Sequence, residues 1–375
     1  MPKTLAPLTE KSTPKFIVHL LVGFVLILVT ATVFTLFILN RQGETGKFNF
    51  VGNQQNGGNS LTPEAKKVMD CFNTSFYRSV SEALANPVNA CALDLSSQHL
   101  LQIDTRIADL PNLKILILSN NEIQTFPPAL LKLNQLTYLD LSKNKLNTLP
   151  SVMSSMSAVT EINLATNNFT KFPEGLSTLP NLTTLSLGSN QISLIGEEYG
   201  SMPKLVSINL ASNNLTTLPI EIGKLTTLEK IVLSNNQLLS VPLEIDGLES
   251  LTELNLGHNK LKLLPAEITE LNSLTILDLR DNDLTALPQD FFQLTSLREL
   301  ILSNNHLGVI PSGISRLEKL ETLLLDNNPL TTIPEEIRVL APFQKLRLVN
   351  VSKTNLKVAD RDRLIRDLPN TQVIY

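Results

Sequence analysis

One period governs this chain. An asparagine returns every 23 residues at Asn121, Asn144, Asn167, Asn190, Asn213, Asn236, Asn259, Asn282, Asn305 and Asn328, each time inside the frame LxxLxLxxNxL. Gln98 holds the same place one step earlier, in "ACALDLSSQHL". After Asn328 the spacing slips by three, and Thr354 holds it in "LRLVNVSKTNL". A unit of this length cannot close a core alone, so about twelve copies, ten of them in phase with asparagine, point to a solenoid stabilised between neighbours.

The stretch "LTYLDLSKNKLNTLP", Leu136 to Pro150, shows how one unit is used. Leu139 and Leu141 alternate with Tyr138 and Asp140, as a strand with one buried face requires. Asn144 follows where the chain must leave the strand. Its amide offers two donors and an acceptor to backbone groups that the turn would leave unmet, each at a cost of about 1–3 kcal/mol. The asparagine column is therefore expected to be structural. A second half, LPxxLxxL, follows most copies, with pairs such as Leu149-Pro150, Leu218-Pro219, Leu264-Pro265 and Leu287-Pro288. Proline there fixes φ and removes a donor that has no sheet to join.

Period and frame together resemble leucine-rich repeats of the 23-residue LPxx(L/I)xxL form, shared by bacterial repeat proteins and by Ras-pathway scaffolds of animals and plants. The resemblance covers residues 90 to 356. It implies an α/β solenoid: a horseshoe with a parallel concave β-sheet and 3₁₀ pieces or turns on the convex side. One copy departs from the pattern. After Asn190 the chain reads Ile195-Gly196 where Leu-Pro is expected, and Tyr199 takes a leucine position, which predicts a local re-turn of the convex edge.

An open-ended stack needs lids. Residues 62 to 89 supply the first. Thr62, Pro63 and Glu64 suit a helix start, and Ala65, Val68, Met69, Phe72, Phe76, Val80 and Ala83 form one apolar stripe, predicting a helix through Ala85. Residues 357 to 375, "KVADRDRLIRDLPNTQVIY", predict a polar-faced helix and a last strand as the other lid. Cys71 and Cys91 are the only cysteines; one disulfide or two buried thiols both fit the sequence.

The N-terminal part differs. Phe16 to Leu39 runs 24 residues without a formal charge, and as a helix of about 36 Å it would cross a bilayer's hydrocarbon core. The run is too long for the apolar part of a cleaved signal peptide, so a single transmembrane helix over residues 16 to 39 is expected. Lys3, Lys11 and Lys15 before it outnumber Arg41 and Lys47 after it, which places residues 1 to 15 in the cytoplasm as a short tail and the repeats outside. Residues 40 to 61, rich in Gly, Asn and Gln, form a flexible tether.

Chemistry is not expected. The four histidines, His19, His99, His258 and His306, are scattered, and no metal, nucleophile-elbow or phosphate-loop motif is present. Family members that are enzymes carry a second domain beside the repeats, and none is expected here; no cofactor is implied. The net charge of -4 argues against a nucleic-acid partner. Asn-x-Ser/Thr triplets at Asn73, Asn168, Asn181, Asn214 and Asn350 are ordinary for a chain rich in those residues.

Function is left to the inward side chains between the leucines. Early copies present small polar groups, Thr184, Ser186, Ser207 and Asn209. Later copies present Lys230, Glu253, His258, Ile276, Asp278, Arg280, Asp281, Glu299, Ile301, Leu324 and Asp326, apolar groups rimmed by charge, as protein-binding patches are. Tyr138 with Glu161 forms a smaller second candidate. The expectation is a non-catalytic, membrane-anchored module binding a protein or peptide on its concave face. The alternatives are a cytoplasm-facing signalling scaffold and a cell-envelope glycan binder, the latter disfavoured by the absence of tryptophan.

Overall fold

A computed structural model describes Cys71, residues 76 to 343 and residues 345 to 375. The expected tail, transmembrane helix and tether lie outside the described residues, as does most of the first half of the expected capping helix. Among the described residues no helix is long and apolar enough to cross a membrane.

The 23-residue frame becomes a single parallel sheet of 14 strands in strict chain order. They are β1 (Phe76–Tyr77), β2 (Ala92–Asp94), β3 (Ile115–Ile117), β4 (Tyr138–Asp140), β5 (Glu161–Asn163), β6 (Thr184–Ser186), β7 (Ser207–Asn209), β8 (Lys230–Val232), β9 (Glu253–Asn255), β10 (Ile276–Asp278), β11 (Glu299–Ile301), β12 (Thr322–Leu324), β13 (Leu348–Asn350) and β14 (Gln372–Ile374). Most units return through a 3₁₀ turn on the opposite side, for example Ile220–Lys224, Leu243–Gly247 and Ala266–Glu270. These turns pack so closely that a Cβ on Gly247 would fall 2.2 Å from the Gly223 carbonyl oxygen. The leucines between sheet and turns form one continuous core; Leu136, Leu139, Leu141 and Leu146 are fully buried. Each contributes about 1.5–3 kcal/mol by leaving water.

The asparagine column does what its chemistry allows. Asn213 accepts from the Ile192 N–H at 2.9 Å and donates to the Leu187, Leu210 and Ala211 carbonyls at 3.0, 3.0 and 3.3 Å. The residue just before each column member is left-handed, from Asn120 (φ 57) through Ser212 (φ 56) to Lys353 (φ 56). Few non-glycine residues adopt this conformation, so the asparagine bonds hold a turn that the preceding residue resists. In the last copy the Thr354 hydroxyl donates to the Val351 carbonyl at 2.7 Å.

The first lid corrects the expectation of one helix through Ala85. Phe76 and Tyr77 leave the helical stripe and pair in parallel with Ala92 and Leu93, extending the sheet. The helix begins again as α1 (Val80–Leu84). Ser79 accepts from the Glu82 N–H at 3.1 Å, and the Glu82 carboxylate accepts from the Arg78 N–H at 3.1 Å. That reciprocal cap fixes a helix start at Ser79. Val80 and Ala83 remain buried, as the stripe required. Cys71 and Cys91 are bonded, with their Cα atoms 5.7 Å apart. Closing a loop of this length stabilises by about 3 kcal/mol in the chain-entropy model. At the other end α2 (Val358–Asp367) buries Leu364, and β14 closes the sheet.

The departing copy keeps its core. Tyr199 is fully buried in the 3₁₀ turn Glu197–Ser201, its ring edge-on to Phe172 at 5.4 Å. Its hydroxyl has no partner among the described residues. Tyr199→Phe removes that buried hydroxyl and keeps the ring contact, so it is expected to stabilise by about 1 kcal/mol. A urea unfolding midpoint checks this; a lower midpoint would mean the hydroxyl is satisfied.

Candidate concave binding surface

The parallel register lays the inward side chains in rows. Lys230, Glu253, Ile276, Glu299 and Thr322 follow one another on β8 to β12. Val232, Asn255, Asp278, Ile301 and Leu324 form the row beside them. Strands stand about 4.8 Å apart, so neighbours in a row touch or bond. Of the later-copy residues singled out in the sequence, Lys230, Glu253, Ile276, Asp278, Glu299, Ile301 and Leu324 fall in these two rows.

Within it, most charges answer one another. Lys230 Nζ meets Glu253 Oε2 at 2.7 Å, with both side chains about four-fifths buried. Arg280 Nε meets Asp278 Oδ1 at 2.9 Å, and His258 Nε2 meets Asp281 Oδ2 at 3.4 Å. Asp326 Oδ1 accepts from the Ser303 hydroxyl at 2.6 Å. Glu299 keeps its proton more readily than an ordinary glutamate: burial raises its pKa, Glu321, Glu253 and Asp278 add to that, and Arg280 opposes it.

Four of the expected contacts are recast by the structure. Asp278 is buried at 7% exposure, and its carboxylate accepts from the Arg280 N–H two residues on, at 3.1 Å. Asp94, Asp140, Asn163, Asn209, Asn255 and Asn350 make the same bond at the ends of their strands. Asp278 thus closes a turn. Asp281 and His258 occupy left-handed positions at the turn, with φ of 53° and 55°. Ile301 is 8% exposed and not, as expected, open to solvent; it lies in register between Asp278 and Leu324, which cover it from both sides. Val232, Ile276 and Leu324 are the apolar groups of these rows that stay partly exposed.

The smaller candidate has the opposite electrostatics. Tyr138 and Glu161 are register partners on β4 and β5, with Asp140 one row over. Burial alone raises the Glu161 pKa to about 7. No cation or hydrogen-bond donor meets its carboxylate among the described residues. Asp140 is held up by burial against hydrogen bonds from Ser142 and Ser119, with the Asp94 charge adding to the rise. Burial, then the charges of Asp140 and Glu161, push the Tyr138 phenol up as well. Here one carboxylate, Glu161, lies on the sheet without a compensating partner among the described residues. The sequence showed both residues, but pairing elsewhere is what sets them apart, and pairing is set between repeats.

No group of three or more His, Cys, Asp or Glu is placed to hold a metal ion among the described residues.

Comparison with known proteins agrees with this architecture. A leucine rich repeat family model matches residues 91–146, 180–238, 203–261, 245–284 and 272–330, more than half of the chain. A leucine-rich-repeat protein of Leptospira interrogans is 26% identical, with a TM-score of 0.62, over 80% of this chain and 100% of its own. An internalin of Listeria monocytogenes shares the fold at 22% identity and a TM-score of 0.66, over 76% of this chain and 80% of its own. The plant peptide hormone receptor RGFR1, solved in complex with RGF2, is 25% identical with a TM-score of 0.63, over 76% of this chain and 47% of its own. No curated protein matches the chain by sequence.

Proposed function

This chain belongs to the leucine-rich-repeat family, and from that premise we propose that it is a non-catalytic module, anchored by residues 16 to 39, that binds a protein or peptide on its concave sheet outside the cytoplasm. One observation carries the reading: Ile276 and Leu324 stay partly exposed on the inward face amid charges already paired to each other. An apolar centre within a satisfied polar rim suits a protein partner and costs that partner little desolvation of charge. The second contact is the row of Tyr138 and Glu161, where a basic side chain of the partner would lie over the ring and compensate the carboxylate.

The Leptospira and plant relatives support the module, and the plant receptor is itself solved with RGF2 bound. The Cys71–Cys91 bond supports an oxidising compartment for the repeats. A cytoplasm-facing scaffold would keep the same surface and reverse its side; protease access in intact cells separates the two. A glycan binder would draw on tryptophan stacking platforms, and the chain has no tryptophan.

The contact is tested by crosslinking the full chain in its native membrane and identifying what is captured. Alanine at Ile276, Arg280 and Leu324 together is expected to reduce capture at least about tenfold, the effect of losing one or two interface anchors. Undiminished capture would place the contact elsewhere.

A further inference from the structure

The residue that leads into each strand forms another row, and through much of the stack it is threonine. Thr137, Thr160, Thr183, Thr252 and Thr275 donate their hydroxyls to the preceding repeat, at 3.1, 3.2, 3.0, 2.9 and 2.9 Å. These side chains serve the stack and leave nothing to offer. After Thr275 the row changes to Arg298, Glu321 and Arg347. The backbone bonds of the row continue unaltered, from Arg298 N–H to Thr275, Glu321 N–H to Arg298 and Arg347 N–H to Glu321, each at 2.8 Å. The side chains have therefore given up the hydroxyl bond and project to solvent.

Lys319 and Lys345 stand two residues before Glu321 and Arg347. Together the five line a cleft of about 220 Å³. Arg298 Nη1 meets Glu321 Oε1 at 3.4 Å. Lys319, Lys345 and Arg347 make no ion pair with any described residue. Four cations thus converge on one carboxylate in a protein whose net charge is -4. Such a concentration of like charge repels itself and is relieved by an anion.

We propose that this cleft binds a phosphate group. Arg298 and Arg347 flank Glu321 in this row, two strand spacings or roughly 9–10 Å apart, and a guanidinium is a planar fork of donors suited to phosphate oxygens. Lys319 and Lys345 add point charges, and the excess of four cations over one carboxylate exceeds the one to two negative charges a phosphate carries. An extended acidic peptide would need a longer track than this compact cleft. The phosphate is that of a soluble ester or of a lipid headgroup, and one experiment separates these sources.

Full-length protein in a nonionic detergent is titrated calorimetrically with inorganic phosphate at about 0.15 M salt, where long-range attraction is screened. Saturable binding is expected. Arg347→Gln should weaken it by about tenfold, the loss of one charged, two-pronged contact. Glu321→Gln should tighten it several-fold, since it removes the one repelling charge and frees Arg298. Both side chains reach into solvent from an unchanged backbone, and circular dichroism confirms folding of each variant. Glycerol phosphate and phosphatidic acid in mixed micelles then compete for the site. Stronger competition by the lipid assigns a headgroup, and equal competition assigns a soluble ester. Absence of saturable phosphate binding overturns the proposal. So does a Glu321→Gln variant that weakens it, an Arg347→Gln variant that leaves it unchanged, or a polyglutamate peptide that binds without being displaced by phosphate.

Discussion

Replacing Asn213 by leucine is expected to destabilise the protein by about 3–5 kcal/mol, although leucine is the residue the core uses everywhere else. The amide of Asn213 joins two consecutive repeats: it accepts from Ile192 and donates to the Leu187 carbonyl in the preceding copy, and donates to the Leu210 carbonyl in its own. Leucine leaves at least two of those buried groups without a partner, at about 1–3 kcal/mol each, and presses an apolar side chain into a polar slot. The turn itself also loses its restraint, since Ser212 is left-handed with φ of 56°. In a stack stabilised between neighbours, such damage stays local first. Urea unfolding of the variant, with hydrogen exchange at the Ile192 amide, measures both effects. A loss below about 1 kcal/mol, or an Ile192 amide protected as before, would show that the amide column is not what holds the turn.

The second large effect depends on pH. The Glu161 carboxyl has a folded-state pKa of about 7 because burial penalises its charged form. Its unfolded value is near 4.5. A group raised on folding is a carboxylate that the fold prefers to keep protonated. Below about pH 4.5 it is protonated in both states and costs nothing. As pH rises through about 7 the folded protein must either hold a buried proton or ionise in place, and stability falls. Glu161→Gln mimics the protonated form at every pH. It is expected to leave stability unchanged at pH 4 and to raise it by about 2 kcal/mol at pH 8, after allowing for partial exposure. Urea unfolding of both proteins at the two pH values gives the difference; an equal difference at both would sink the assignment. Asp140 shifts in the same direction, but it is present in both proteins and cancels. A partner cation beside Glu161 would repay this cost, so a partner that uses this row should bind more tightly at pH 8 than at pH 5.

The late-copy patch sets apolar groups within a rim of charge, yet most of those charges meet each other: Lys230 with Glu253, Arg280 with Asp278, Asp281 with His258. The plainer pair, Tyr138 and Glu161, is where the fold leaves a carboxylate without compensation. A list of inward residues cannot distinguish these cases, since each pairing spans 23 residues or returns on a turn.

By itself the sequence determined the solenoid, the inward and outward faces, the column of asparagines and the prolines of the return. Those follow from a frame repeated so often that no other arrangement buries its leucines. It also located the two cysteines and the apolar segment at residues 16 to 39. Only the tertiary structure decided the rest. It drew Phe76 and Tyr77 out of a helical stripe to extend the sheet, because β2 offered an edge and Ser79 a cap. It made the residue before each asparagine left-handed, where the sequence has Asn, Lys, Thr, Ser, His or Asp and so gives no signal. It covered Ile301, and it turned Arg298 and Arg347 onto one cleft. Each of these outcomes depends on which side chain the next turn of the solenoid sets about 4.8 Å away, a relation between repeats that no single repeat contains.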